Sequence, residues 1–344
     1  MNYNSSIKKI DNSIVNNEDG VNRAEEIRIW VDSFLREDFQ WEPASTDASF
    51  RQYFRVIKGN QAYILMDAPP KKESIQAFLD VANRLMEAQV NAPKIYAFDI
   101  ELGVILMHDF GPTTYLDAIN KDNAAKLYKD AVSTLICIQK KIDTKEMQYY
   151  DKNKLYEEMI LFVDWYLVKY KNIALAKTDK NILENLFKFI AEKISLQPQV
   201  FVHRDFHSRN LMFLTDTKTS PGILDFQDAL IGPITYDLVS LLKDAYVEWD
   251  EEFIIDQSVR YWQKAKKENL LIQNDFSEFY EDFEWMGVQR HLKILGIFSR
   301  LSIRDEKNQY LDNIPLVEKY LLNTIARYKE LFPLRNLLDK VILK

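Results

Sequence analysis

Apolar residues recur along this chain with two periods, and the switch between them divides the sequence into regions. Ile27, Trp30, Val31 and Phe34 fall at i, i+3, i+4 and i+7, which puts four side chains on one face of a helix of about three turns. The runs YFRVIK and AYILMD that follow read as strands, joined by Gly59 and Asn60, residues that tolerate the positive φ of a tight hairpin turn. Pro69 and Pro70 end the hairpin. Ile75, Phe78, Leu79, Ala82, Leu85 and Met86 mark a second amphipathic helix, and IYAFD and GVILMH are further strand candidates. Together these predict a small antiparallel sheet with one packed helix.

From about Asp122 the helical period dominates, in LYKDAVSTLICIQKKI, KLYEEMILFVDWYLVKY and ILENLFKFIAEKI. It is interrupted only around residues 200 to 226, where VFV, LMFL and GILD are short β-type runs joined by HRDFHSRN and by the polar turn TDTKTSPG. Polar loops held between rigid strands are where chemistry is usually placed. Trp285, Phe298 and Tyr261 recur at helical spacing and are expected in the core.

Composition narrows the class. At 344 residues and 47% hydrophobic side chains, the chain can fill two cores. Its eight glycines disfavour glycine-rich fingerprints and favour a helix-rich body. The net charge of −7 comes from 45 basic and 52 acidic residues without long like-charge blocks, so no nucleic-acid partner is expected. No apolar run approaches the roughly eighteen residues of a membrane helix, and the Asn-rich opening lacks the apolar stretch of a signal peptide. The expectation is a cytoplasmic protein without a membrane partner, whose residues 1–23 form a mobile tail. Cys137 stands alone in a helical pattern and is expected to be a buried, inert thiol.

The chemistry is concentrated in His203-Arg204-Asp205-Phe206-His207-Ser208-Arg209-Asn210, which fits the H-R-D-x-x-x-x-N catalytic-loop pattern of kinases. Phosphoryl transfer needs a carboxylate within hydrogen-bond reach of the attacking hydroxyl, and oxygen ligands that hold magnesium on the nucleotide phosphates. Asp205 suits the first role and Asn210 the second. Asp225 in GILDFQDA, fifteen residues beyond Asn210 at the end of an apolar strand, suits the second metal-binding position. His203, Asp205 and His207 also spell H-x-D-x-H, a possible hydrolase zinc cluster. Four histidines and one cysteine leave few further ligands for it, and it explains neither Asn210 nor Asp225.

HRDFHSRN with ILDFQDALIGPITYDLVSLLKD resembles the catalytic core of the aminoglycoside phosphotransferase family. WMGVQRHLKILGIFSRLSIRD, ASFRQYFRV and ILMDAPP resemble its branch of anomeric N-acetylmuramate and N-acetylglucosamine kinases of cell-wall recycling. The resemblance runs from about residue 25 to 330. It implies an α+β, protein-kinase-like, two-lobed fold, with a small antiparallel-sheet lobe over 24–110 and a larger, mainly helical lobe over 111–344. It also implies ATP between the lobes, Mg2+ on Asn210 and Asp225, Asp205 as base, and transfer of phosphate to the sugar's C1 hydroxyl.

The chain departs from the kinase pattern where a front-lobe lysine and its helix glutamate are expected, since Met66 and Phe78 stand there. Arg51, Arg55 or Lys58 could supply a cation instead, and a pseudokinase that binds nucleotide without turnover is the alternative. TDASFRQYF lacks a Gly-rich sequence, so Ser49 is a further expected phosphate contact, with Met107 and His108 lining the nucleotide. For the sugar, His207, Arg209, Gln227, Asp228, Glu158 and Arg290 are the expected contacts, with Asp164, Trp165 and Gln289 also considered. Arg209 or Arg290 would meet the carboxylate of an N-acetylmuramate acceptor. Choline, homoserine and aminoglycosides remain alternative acceptors.

Overall fold

The computed structural model describes residues 23–36, 38–45, 51–215 and 221–341. The chain divides into two compact units, Met1–Ile75 with Ile95–Asp109, and Gln76–Lys94 with Phe110–Lys344.

The first unit opens with helix α1 (Arg23–Leu35), so Arg23, counted with the tail by its polarity, already belongs to the helix. The sheet follows as β1 (Gln40–Ser45), β2 (Gln52–Lys58) and β3 (Gln61–Asp67). After helix α2 (Gln76–Glu87), β4 (Ile95–Asp99) and β5 (Val104–His108) complete it in the order β1-β2-β3-β5-β4, antiparallel throughout. The β2–β3 turn closes at Gly59–Asn60, and Gly59 takes the positive φ of +55°.

One face of this sheet packs on α1. Ile27, Trp30, Val31 and Leu35 form a core with Val56, Leu65, Val104 and Leu106. Leu35 takes the place the periodicity gave to Phe34, which is exposed. Because strand side chains alternate between faces, Tyr53, Arg55, Ile64, Met66, Ile105 and Met107 lie on the face away from α1. Arg23 adds an ion pair to Asp67 (2.5 Å) on the α1 side.

Helix α2 belongs to the second unit, where the Phe78 ring lies 4.7 Å from that of Phe226. The helices that follow are α3 (Tyr115–Ala118), α4 (Ala124–Lys141) and α5 (Lys152–Leu161), which runs into a π-helix over Phe162–Tyr170, and then α6 (Lys177–Ser195). Next come the short strands β6 (Gln199–Val202), β7 (Leu211–Met212), β8 (Gly222–Ile223) and β9 (Leu230–Pro233), followed by α7 (Tyr236–Leu242), α8 (Glu251–Lys267) and α9 (Phe276–Asp305). The chain closes with α10 (Ile314–Ile325) and α11 (Phe332–Val341). The β6–β9 pair was not anticipated, since LIGP lacks the alternation or length of an ordinary strand.

Helix α9 runs through the middle of this unit and is buried almost continuously from Phe283 to Leu301. A Cβ on Gly296 would sit 2.4 Å from the Leu161 carbonyl carbon, so only glycine lets α9 approach the end of α5 this closely. That approach sets Gln289 and Lys293 of α9 against Leu155 and Glu158 of α5. Trp285, Phe298 and Tyr261 are core residues. Cys137 is partly buried, its Sγ 3.6 Å from the Ala88 carbonyl oxygen. Among the described residues no helix is long and apolar enough to cross a membrane.

Candidate active site

The two-residue β7–β8 ladder pairs Leu211 with Ile223 and so brings two stretches of sequence together: the loop leaving β6, residues 203–210, and the residues that follow β8. The Leu224 N–H donates to the Asn210 carbonyl (2.9 Å). Asn210 Nδ2 donates to the Asp205 carbonyl (3.0 Å) and to Asp225 Oδ2 (3.3 Å), which leaves its Oδ1 as the acceptor side of the amide. Gln227 Nε2 donates to Asp225 Oδ1 (2.9 Å). Asp205, Asn210 and Asp225, separated by up to twenty positions in sequence, thus form one hydrogen-bonded unit.

Two residues in this unit carry left-handed backbone, Arg204 at φ +78° and Asp225 at φ +60°. Non-glycine residues persist in that region only where surrounding contacts over-determine them, and such strain clusters at functional sites. The contacts are visible here. Asp237, fully buried in the first turn of α7, accepts the N–H groups of His203 (2.7 Å) and Arg204 (3.0 Å) on its two oxygens. Asp244, also fully buried, accepts the N–H (2.9 Å) and hydroxyl (2.5 Å) of Ser208. His203 Nδ1 accepts the Asp205 N–H (3.2 Å), which requires a neutral imidazole, and burial lowers that imidazole to about 4.

Behind Asp205 lies a buried set of charges contributed by α5 and α9. The Glu158 carboxylate takes an ion pair from Arg204 (2.6 Å), another from Lys293 (3.4 Å), and the hydroxyl of Tyr150. Lys293 Nζ also donates to the Tyr236 hydroxyl (3.0 Å), and the Arg290 guanidinium lies 5.6 Å from the Tyr236 ring centre. Burial alone would raise the Asp205 carboxyl, but the charges of Lys293, Arg290 and Arg204 outweigh it and hold it below the ordinary carboxylate value. Among the described residues, no donor hydrogen-bonds that carboxylate. It is an ionised acceptor available to a ligand.

This placement revises several sequence expectations. Glu158 is not open to an acceptor, because its oxygens are taken up by Arg204, Lys293 and Tyr150 behind the loop. Gln289, fully buried, belongs to the same cluster and donates weakly to the Leu155 carbonyl (3.3 Å). Arg290 is 3% exposed and likewise internal. Gln227 is buried and committed to Asp225, whereas Asp228 is exposed. Arg209 is exposed, its guanidinium 4.8 Å from the Tyr246 ring centre, and His207 meets the same ring edge-on at 5.4 Å. Asp164 is exposed on the π-helix, and Trp165 carries Lys169 over its ring at 3.5 Å.

In the first unit Arg51, Arg55 and Met107 share the face away from α1, whereas His108 has the opposite parity and is exposed. Met66 and Phe78 are both buried. Ser49 lies outside the described residues. The residues missed from sequence are Arg204, Asp237, Asp244 and Lys293. Arg204 stood in the quoted loop motif without a role, and the one legible signal of the other three was polarity inside otherwise apolar stretches, with Asp237 and Asp244 seven residues apart.

Asn210 and Asp225 offer an amide oxygen and a carboxylate, an oxygen-only pair that fits magnesium, which keeps several waters and takes its remaining ligands from substrate phosphates. Among the described residues no three His, Cys, Asp or Glu side chains converge into a metal-holding group, so His203, Asp205 and His207 do not come together as the H-x-D-x-H reading requires.

Comparison with known proteins gives the same picture. An N-acetylmuramate/N-acetylglucosamine kinase from Neisseria meningitidis serogroup B is 40% identical over 322 residues, covering 92% of this chain and 95% of that protein. A protein of the same name from Pseudomonas aeruginosa is 40% identical over 327 residues, covering 92% and 96%. Among solved structures, the choline kinase LicA from Streptococcus pneumoniae superimposes with a TM-score of 0.63 at 14% identity, covering 87% of this chain and 99% of that one. The α+β fold is therefore the protein-kinase-like one. Residues 40–269, which span the sheet, the loop over 203–210 and Asp225, match the model of the phosphotransferase enzyme family, and the chain belongs to that family.

Proposed function

We propose that this small-molecule phosphotransferase uses ATP to phosphorylate the anomeric C1 hydroxyl of N-acetylmuramate, N-acetylglucosamine or both. The observation that carries the reading is the hydrogen-bonded unit of Asp205, Asn210 and Asp225, in a chain that matches proteins named N-acetylmuramate/N-acetylglucosamine kinase over nine-tenths of its length.

Asp205 accepts the proton of the acceptor hydroxyl as its oxygen attacks the γ-phosphorus. The carboxylate is ionised before the acceptor arrives, because Lys293, Arg290 and Arg204 hold it so. Asp237 and Asp244 fix the loop on either side of it, so the base stays in place as the acceptor binds. Asn210 and Asp225, steadied by Gln227, would hold Mg2+, which would neutralise charge on the nucleotide phosphates. Arg209 and His207, beside Tyr246, supply a cation and an aromatic wall on the exposed side of the loop, suited to a sugar and to a carboxylate carried on it. Asp228 lies next to Gln227 and is a further sugar contact. Arg51, Arg55 and Met107, which share one face of the sheet, contact the nucleotide in this reading, and His108 on the other face does not.

The test is ADP release with Mg·ATP across N-acetylmuramate, N-acetylglucosamine, choline, homoserine and kanamycin, with the phosphorylated position read by phosphorus NMR. Turnover confined to the amino sugars, at C1, and reduced at least about a thousandfold in Asp205→Asn is the expected result. Nucleotide binding without turnover on any acceptor would identify a pseudokinase instead.

A further inference from the structure

The sequence leaves three cations as candidates to hold the nucleotide phosphates, and the sheet separates them. Lys58 has the parity of the α1-facing side, and its Nζ donates to the Leu35 carbonyl (2.7 Å). Arg55 lies at the end of the sheet where β5 ends. It meets Asp109 through two nitrogens, at 2.6 and 3.3 Å, and the Asp109 side chain is only 6% exposed. That pair matches one guanidinium to one buried carboxylate and leaves little positive charge over.

Arg51 lies four residues back along the chain, about 13 Å at the rise of a strand. Continuing the β2 alternation, it falls on the face away from α1, beside the end of β3, where Gln52 pairs with Asp67 and Tyr53 with Met66. It is 7% exposed, the only buried cation among the described residues of the first unit. Its Nη2 is paired with Glu73, which lies on the connection between β3 and α2. Glu73 is itself 30% exposed and so keeps part of its charge in solvent, unlike Asp109. A buried guanidinium aimed by the Glu73 carboxylate and held beside Tyr53, on the same face as the apolar Met66, presents a planar fork of positive charge suited to an anion.

We propose that Arg51, oriented by Glu73, is the residue that grips the nucleotide phosphates, so that an arginine at the start of β2 and a glutamate before α2 do the work of the strand lysine and helix glutamate replaced by Met66 and Phe78. The inference rests on the kinase reading. It makes Glu73 a positioning residue and assigns Arg55 and Asp109 to the other end of the nucleotide.

Calorimetric titration of ATP, ADP and adenosine into wild-type protein and into Arg51→Ala, Arg51→Lys, Glu73→Gln and Arg55→Ala tests this without relying on turnover. Losing a charge-assisted contact weakens ATP and ADP binding roughly tenfold to a hundredfold in Arg51→Ala and leaves adenosine binding unchanged. Arg51→Lys recovers part of the loss, Glu73→Gln gives a smaller loss of the same phosphate-dependent kind, and Arg55→Ala weakens all three ligands alike. Equal ATP binding by wild type and the Arg51 variants overturns the assignment, as does equal weakening of adenosine. Should wild-type protein bind adenosine and nucleotides not at all, the kinase reading itself fails. Arg51→Lys and Glu73→Gln keep the test decisive if Arg51→Ala does not fold.

Discussion

Removing the Asp237 carboxylate tests whether the geometry of the catalytic loop is imposed from α7. In Asp237→Ala the N–H groups of His203 and Arg204 lose acceptors now at 2.7 and 3.0 Å, under a residue that is fully buried. Each buried donor left without a partner costs about 1–3 kcal/mol, so the pair costs roughly 2–6 kcal/mol. The helical unit has roughly 250 residues. With an unfolding entropy of about 2.1 cal/mol/K per residue, each kcal/mol moves its Tm by about 2 °C, for a fall of roughly 4–12 °C. The lower half of that range is the expectation, because burial pushes the Asp237 carboxyl up to about 7 and its removal relieves part of that cost. The effect on rate is larger. Left-handed backbone at Arg204 costs about 1–3 kcal/mol and holds only while its neighbours enforce it. Once released, the loop relaxes and carries Asp205 off line, and a displacement of about 1 Å costs on the order of a hundredfold in kcat. Asp237→Asn keeps one acceptor and should lose about half as much Tm. Scanning calorimetry and ADP release read the two effects. An alanine variant that melts within about 1 °C of wild type and turns over at the same rate would refute the argument.

Two further outcomes follow from the buried charges. His203 is held at about 4, whereas the unfolded chain protonates it near 6.5, so its contribution to stability is full above pH 6.5 and is lost as pH falls from 6.5 to about 4. That loss is on the order of 3 kcal/mol. His203→Asn, whose Oδ1 can accept the Asp205 N–H, should show a shallower fall in Tm over the same pH window, and identical slopes would exclude the mechanism. Glu158→Gln leaves Arg204 and Lys293 side by side without their anion and should cost about 3–5 kcal/mol. Lys293→Met should cost less, because Glu158 keeps Arg204, and the double variant should recover most of the loss of Glu158→Gln. Additive losses in thermal melts would show that the ion pair is not what links α5 to α9.

The parts of this molecule that were legible in sequence are those whose partners lie nearby in the chain. The hairpin at Gly59 needs only two strands and a residue that takes positive φ. The unit of Asp205, Asn210 and Asp225 needs only one loop and a two-residue ladder, both within 23 positions. Helix faces were legible to within a residue, as Leu35 in place of Phe34 shows, because the periodicity marks a stripe and the packing chooses its centre. The support for the catalytic loop was not legible. It comes from α5, α7 and α9, with partners 33 to 46 residues away in the hydrogen bonds from Asp237 and Glu158, and no local pattern encodes such a pairing.

Gln289, Arg290, His291 and Lys293 show what a single sequence can and cannot say about such support. Of these four, Arg290 and Lys293 carry charge on a helix buried on all sides and must meet counter-charges inside the protein, since an unpaired buried charge costs several kcal/mol, whereas burial holds His291 neutral. Their presence could therefore be read as a demand for buried anions. Which anions answer it could not. A carboxylate among apolar residues, as Glu158 is in the sequence, suits a substrate contact and an internal counter-charge equally well. The front unit repeats the point in reverse. Absence of a lysine at Met66 is visible in one position of the sequence, whereas the replacement proposed above joins Arg51 and Glu73, which only the turn at Gly59 and the exit of β3 bring together. Losses in a conserved kind of site are local in sequence, whereas compensations are made by whichever side chain the fold places within reach, so a missing residue is weak evidence of a missing activity.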